Sequence, residues 1–446
     1  MELLGRSCTN TLRRLAGALA CSLLAGASLA AVDRAPTILS MDGRSSATAA
    51  TAALGNFVAV VWTASSETGA TDVYAAVSRD GGGAFSSPAR VNSTPGDVRV
   101  NLEQSPRVAL RSARGQSPEM IVVWTEKGAV GPTLKTARST DGGKTFERAV
   151  LVPGAEAAGN RGWEAMTIDD AGRAFVVWLD HRRSEPSASG TKHVHNGNPQ
   201  APATKEASEN GFTRAQRSDL YLASVDGSLP PRPIAAGVCY CCKTALLPGP
   251  NGSLYVAWRH VYPGSMRDIA FTVSRDRGRT FAPPVRVSED HWQLDGCPDD
   301  GPAMAVDRSG RIHVVWPTLV TEKGDQTLAI FHAMSADGRT FTPRQRVPSE
   351  GLARHPQIAI APDGAPVVAW DEPMPGGRRI VTARVAMTAS GVRFSREALA
   401  TTASGVYPSL AATRTGLIMA WTERSGERSV IRVTTVRTQH TVNPSR

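Results

Sequence analysis

Seven times along the chain a short apolar run ends in tryptophan: Phe57–Trp62, Ile121–Trp124, Phe175–Trp178, Leu254–Trp258, Ile312–Trp316, Val367–Trp370 and Leu417–Trp421. The Trp-to-Trp spacing is mostly 51–62 residues. A short strand and a turn precede each run. A polar loop and another apolar strand follow it, as in Asp72–Val77 and Asp268–Val273. Most units then add a fourth strand, such as Pro284–Val287. Four short strands repeated at a near-fixed period are the pattern of a radial β-repeat. One twisted sheet cannot bury both faces alone, whereas blades packed around an axis can. The chain is therefore expected to be all-β: a β-propeller of seven four-stranded blades, or of six if one unit is degenerate. The seven tryptophans are expected between blades. The last unit stops after Ser429–Thr435 without a fourth strand, and Pro36–Ser40 is a spare strand near the start. That strand is expected to complete the last blade and close the ring, hiding an open edge.

The turn between third and fourth strands is also repeated. It reads Ser78-Arg-Asp80-Gly-Gly-Gly-Ala-Phe85, Ser139-Thr-Asp141-Gly-Gly143-Lys-Thr145-Phe146 and Ser274-Arg-Asp276-Arg-Gly278-Arg-Thr280-Phe281. A copy shortened by one residue contains Asp337, and Asp226 and Gly391 mark worn copies. Aspartate can cap turn amides and glycine permits positive φ. The string resembles the Asp-box of sialidases and related repeat proteins, and the repeat extends that resemblance over nearly the whole chain. In those families the motif is structural and lies opposite the active site. The resemblance thus makes Asp80, Asp141, Asp276 and Asp337 structural and moves attention to the other face.

That other face receives the loops leading into the inner strands and the loops after each tryptophan. They carry Gln104, Trp163, Glu164, His181, Arg182, Arg259, His260, Asp300, Arg354, His355 and Tyr407. They also carry Cys239, Cys241, Cys242 and Cys297. Three readings of these cysteines stand side by side. A disulfide from Cys297 to one of the other three would staple the neighbouring blades 4 and 5; four cysteines allow three pairings. Alternatively, Cys239, Cys241, Cys242 and Cys297 with His181, His260 or His355 offer a soft copper or zinc site. Thirdly, Cys239 and Cys242 stand as Cys-x-x-Cys and offer redox exchange.

The resemblance to sialidases also implies a tyrosine nucleophile with a glutamate partner, and an arginine clamp that grips a carboxylate bidentately. Tyr407-Pro-Ser-Leu410 looks like the nucleophile stretch. Glu164 is the candidate partner, and Arg182, Arg259, Arg354 and Arg424 are candidates for the clamp. The Arg-Ile-Pro motif of the first blade is missing; the chain there reads Ala35-Pro-Thr-Ile-Leu-Ser40. The leading reading is therefore a sialidase-like propeller that binds a small molecule, glycan, metal ion or protein partner at its cysteine-bearing face. An exo-α-sialidase is the alternative.

The chain carries a net charge of +10 and a sequence pI near 9.6. That balance suits an acidic ligand. The basic residues form no run, so no nucleic-acid partner is expected. Residues 1–30 read as a secretory leader: Arg6, Arg13 and Arg14 precede the apolar Leu15–Leu24, and Ser28-Leu29-Ala30 supplies small residues for cleavage. The run is too short to span a membrane, and Cys21 matches a lipoprotein box poorly. The mature domain, 31–446, is expected to be exported to the periplasm or outside the cell, and to be monomeric. An insertion at about 182–217, rich in Ser, Gly, Pro, Ala and Asn, is a candidate lid.

Overall fold

The computed structural model describes residues 35–100, 103–129, 131–184, 211–322, 324–388, 391–398 and 404–436. The leader expected over 1–30 and residues 185–210 of the insertion lie outside them. Among the described residues, seven antiparallel four-stranded sheets account for all the named strands. Blades 1 to 6 occupy 45–90, 107–151, 161–236, 245–286, 303–346 and 354–398, each reading from inner to outer strand in chain order. Blade 7 consists of Val406–Ala412, Leu417–Ser425 and Arg428–Val436, and its outermost strand is Thr37–Leu39. Ile38 pairs with Arg432 across that junction. Each innermost strand lies against the next, and that of blade 7 lies against Ser45–Leu54 of blade 1. The ring therefore has seven blades and is closed by the early strand.

The apolar runs owe their lack of alternation to this arrangement. Second strands are buried on both faces, as in Phe57–Ser65, where every residue but the last is buried. Seven hydrophobic cores result, one between each pair of neighbouring blades, and each holds one repeat tryptophan. Trp62, for example, packs with Val58 and Tyr74 of its own blade and with Ile418 and Val433 of blade 7. All seven tryptophans are at most 1% exposed.

The Ser-x-Asp turns have a shared geometry. Ser274 Oγ donates to Asp276 Oδ1 at 2.8 Å and accepts from the Gly278 amide at 2.8 Å. Asp276 in turn accepts from the amide and hydroxyl of Thr280. The same bonds recur at Ser139, Asp141, Gly143 and Thr145. Gly278 takes φ +80, and a Cβ there would meet Leu222 at 3.0 Å. Asp80 and Asp337 make equivalent bonds to Ser78 and Ser335. Register puts these turns at the end of the blade remote from the cysteines: Ser274 pairs with Leu254, whereas Cys239 donates its amide to Arg259 O at 2.8 Å.

Trp62 bridges the closing interface, and its Nε1 has no partner among the described residues. Trp62→Ala should therefore act through packing alone. Chemical denaturation should register a loss of about 3–5 kcal/mol.

Candidate functional site

Four inner strands carry an irregularity at the same place, where they begin. The register slips between Ala47 and Ala50, Gly162 and Ala165, Arg354 and Gln357, and Val406 and Ser409. Within these bulges Thr48, Trp163, His355 and Tyr407 take φ of 55–56°. Positive φ is unfavourable for such residues and persists only where the surroundings enforce it. A bulge re-aims a side chain. Here it presents Trp163, His355 and Tyr407 at one mouth of the channel.

Those side chains meet across the axis. His355 of blade 6 contacts Glu103, which leads into blade 2, through Nε2 at 3.1 Å. Tyr407 of blade 7 donates its hydroxyl to the same Glu103 oxygen at 3.2 Å. Blades 6 and 2 are three steps apart around the ring, so this contact spans the channel. His355 Nδ1 bonds Asp371, and its amide donates to Asp300 at 2.6 Å. Lys243 Nζ pairs with Asp300 at 3.1 Å and donates to Pro356 O. Arg378 holds the other oxygen of Asp371. The His355 and Tyr407 rings stack with centroids 3.9 Å apart. Burial works against a charged imidazole, but the carboxylates of Asp371 and Glu103 outweigh it and push His355 up to about 10. His355 is thus an imidazolium at neutral pH. Burial, with the charges of Glu103 and Asp371, raises the Tyr407 phenol.

A second group lies over blades 2 and 3. Gln104, Trp163, Glu164 and His181 are each at most 6% exposed. Both side-chain polar atoms of Gln104, Trp163 Nε1, Glu164 Oε1 and His181 Nε2 have no hydrogen-bond partner among the described residues. The indole of Trp163 and the His181 ring are 5.8 Å apart. Glu164 Oε2 accepts from Thr125 at 3.3 Å, and Glu164 O accepts from Arg107 Nε at 2.7 Å. Burial raises the Glu164 carboxyl to about 7, against the opposing pull of Arg107 and Arg99. Burial also lowers His181 to about 4, so it is neutral. Arg99 and Arg107 are only partly buried, and Arg107 feels both Glu164 and Glu103.

The cysteines lie behind Trp163, in the core shared by blades 3 and 4. Cys241 and Cys297 are joined by a disulfide, with Cα atoms 6.2 Å apart, which ties the loops leading into blades 4 and 5. Cys239 and Cys242 are free and buried. The helix Gly211–Gln216 covers them: Phe212 and Ala215 pack into the same core, and Arg214 lies 4.3 Å over the Tyr240 ring. Tyr240–Cys241 is a turn rather than extended chain, which brings three sulfurs together. The groups close enough to share a metal among the described residues are Cys239, Cys241 and Cys242, and Cys241, Cys297 and Asp299. A disulfide sulfur carries no thiolate charge, so with the bridge in place only Cys239 and Cys242 offer thiolate ligands.

The other expected site residues are dispersed. His260 packs on Tyr262 and accepts from Trp258 Nε1, and burial with the nearby Arg286 lowers it to about 4. His181, His260 and His355 are absent from both sulfur groups. Tyr407 is paired with Glu103, whereas Glu164 bonds Thr125. Arg182 is held by Asp180 and Gly154 O, and Arg259 by three backbone carbonyls. Arg354 opens the inner strand of blade 6 and is half-buried. Glu103, Lys243 and Arg107 carried no motif that would have singled them out as partners; only the shared slot ahead of each inner strand pointed to their region.

No protein-family profile matches the chain. No curated protein matches it either. Solved structures do. A Dyadobacter fermentans protein of unknown function has 12% identity over 91% of this chain and 99% of that one, with TM-score 0.51. An ulvan lyase of polysaccharide lyase family PL25, bound to -[GlcA(1-4)Rha3S]-, has 10% identity over 91% and 94%, with TM-score 0.54. The GH93 α-L-arabinofuranosidase of Fusarium graminearum, in complex with arabinobiose, has 12% identity over 91% and 98%, with TM-score 0.51. At such identities the likeness is one of fold.

The His355 pairings have a pH signature. Its folded pKa lies above the ordinary histidine value of 6.5, so its contribution is complete below pH 6.5 and is lost as pH rises toward about 10. Urea denaturation across that window should show stability falling in the native sequence, with a shallower slope in His355→Gln.

Proposed function

We propose that the protein acts on an anionic glycan at the channel mouth over blades 2 and 3, with Glu164 transferring the proton. The observation that carries this is the set of buried, unpartnered polar atoms on Gln104, Trp163, Glu164 and His181. Each such group destabilises the fold by about 1–3 kcal/mol unless something bonds it. These atoms are closed to solvent in the structure, so a sugar ring supplies the complement only by displacing the side chains that cover them. Its hydroxyls suit an amide, a carboxyl and an indole N–H, and its C–H face suits the Trp163 ring. Arg99 and Arg107 add positive charge at the same place, which fits a uronate or sulfate substituent. The net charge of +10 favours a polyanion in the same sense. A carboxyl near 7 is matched to general acid–base work at neutral pH. The fold is shared with an ulvan lyase and an arabinofuranosidase. We place the activity outside the cytoplasm, on the strength of residues 1–30 and because a disulfide suits an oxidising compartment.

A second reading rests on the Tyr407 hydroxyl, which donates to Glu103 as a base-activated nucleophile would. It makes the protein a glycosidase of sialidase type. A fluorogenic sialoside separates the two: cleavage abolished by Tyr407→Phe favours the tyrosine.

For the leading reading, uronate-containing and sulfated polysaccharides and neutral controls are screened for retention by calorimetry. Cleavage is followed by reducing ends and by ultraviolet absorbance of unsaturated products. Anionic glycans should bind and neutral ones should not. Glu164→Gln should keep binding and lower turnover by roughly 10²–10⁴-fold. With Glu164 as general acid, the rate should fall as pH rises through about 7. Failure of every anionic glycan to bind would sink the reading.

A further inference from the structure

We propose that Cys239, Cys241, Cys242 and Cys297 share one movable disulfide, forming a thiol–disulfide exchange site that connects a buried dithiol to the surface. The four sulfurs form a continuous chain of contacts. Cys242 Sγ lies 3.0 Å from Cys239 Sγ, Cys239 Sγ lies 3.8 Å from Cys241 Sγ, and Cys241 is bonded to Cys297. Burial falls off at one end only: Cys239 and Cys242 are at most 2% exposed, while Cys297 is half-buried.

The charge around the dithiol favours exchange over metal binding. Arg267 is fully buried, and its Nη2 has no hydrogen-bond partner among the described residues. Its Nη1 lies 3.5 Å from Cys239 Sγ, and its Nε donates to Leu294 O. A buried guanidinium needs a nearby anion; the Asp295 carboxylate approaches Arg267 Nη2 from beside Gly211 without forming an ion pair, and a Cys239 thiolate is the group within bonding distance of Nη1. Two arginines, Arg267 and Arg259, sit where a bound cation would be repelled, and the three candidate histidines lie elsewhere. Burial pushes the Cys239 thiol up, but the Cys242 S–H and these guanidiniums bring it down to about 7. Cys242 is pushed up by burial and by its neighbour, so it keeps the proton.

The exchange balances internally. The Cys239 thiolate attacks Cys241 Sγ; the Cys241–Cys297 bond breaks and Cys297 leaves as thiolate. Cys242 then attacks Cys239 Sγ, and its proton passes to the departing Cys241 sulfur. One disulfide and one thiolate are present before and after, with no outside oxidant. The bridge has moved to Cys239–Cys242 and the thiolate to Cys297. From there Cys297 can attack a small-molecule or protein disulfide. Cys241 resolves the mixed disulfide, leaving the partner as two thiols and this protein with two bridges.

The test traps the moved bridge. The folded full chain is incubated with a thiol-alkylating maleimide, unfolded in acid and mapped by peptide mass spectrometry, so that Cys8 and Cys21 are scored separately. Label should accumulate on Cys297 together with a Cys239–Cys242 bridge. In Cys239→Ser, Cys297 should stay bridged and unlabelled. In Cys242→Ser, which leaves the first step intact, Cys297 should be labelled with a Cys239–Cys241 bridge trapped. Thermal melting checks that each variant keeps the ring. Either of two outcomes overturns the proposal: Cys297 unlabelled in the native protein, or Cys297 labelled equally in Cys239→Ser.

Discussion

Every blade in this protein depends on its two neighbours to exclude water. A four-stranded sheet with apolar residues on both faces has no stable existence alone, and the ring resolves this by making each face half of a core. The tryptophans sit where two such faces meet, and each core holds one of them. The constraint is circular in the literal sense. Removing one blade would expose two apolar faces, and the remaining six would have to re-space around the axis.

The same constraint builds the chemistry. Because inner strands converge, the short loops that lead into them are forced together over the channel. Residues far apart in sequence become hydrogen-bond partners: Glu103 and His355 are 252 positions apart, and Glu103 and Tyr407 are 304 apart. The result is an uneven mouth. On one side Lys243, His355 and Arg378 are balanced by Glu103, Asp300 and Asp371 and leave little for a ligand to gain. On the other, Gln104, Trp163, Glu164 and His181 keep unused hydrogen-bonding capacity beside two arginines.

The repeat made the ring legible from sequence, because a tryptophan and a Ser-x-Asp turn recur in step with the structure they build. The closing strand was legible for a related reason: blade 7 lacked a partner and Pro36–Ser40 lacked a blade. The site was only half legible. Slot position identified Tyr407, His355, Glu164 and the cysteines as lying on one face. It did not identify who meets whom, since a contact across the axis leaves no local spacing. The expected partner of Tyr407 was Glu164, whereas the structure bonds its hydroxyl to Glu103. The disulfide pairing was hidden for a different reason: Tyr240–Cys241 is a turn, and spacing alone does not tell which of the three sulfurs it brings to Cys297.

Thr37–Leu39 docks onto Arg428–Val436. Of all the strands described, it is the first to be synthesised, and its partner is the last. It has no partner within its own neighbourhood of the chain, and six blades lie between it and the strand it pairs with. Its loop can close only when the far end of the chain is present, and the entropy of that closure grows only slowly with length. Assembly thus ends with a single long-range event that locks the early blades and the late one together. A nascent chain halted before residue 428 would hold an open arc, with an apolar face bare at each end and a ready substrate for chaperones.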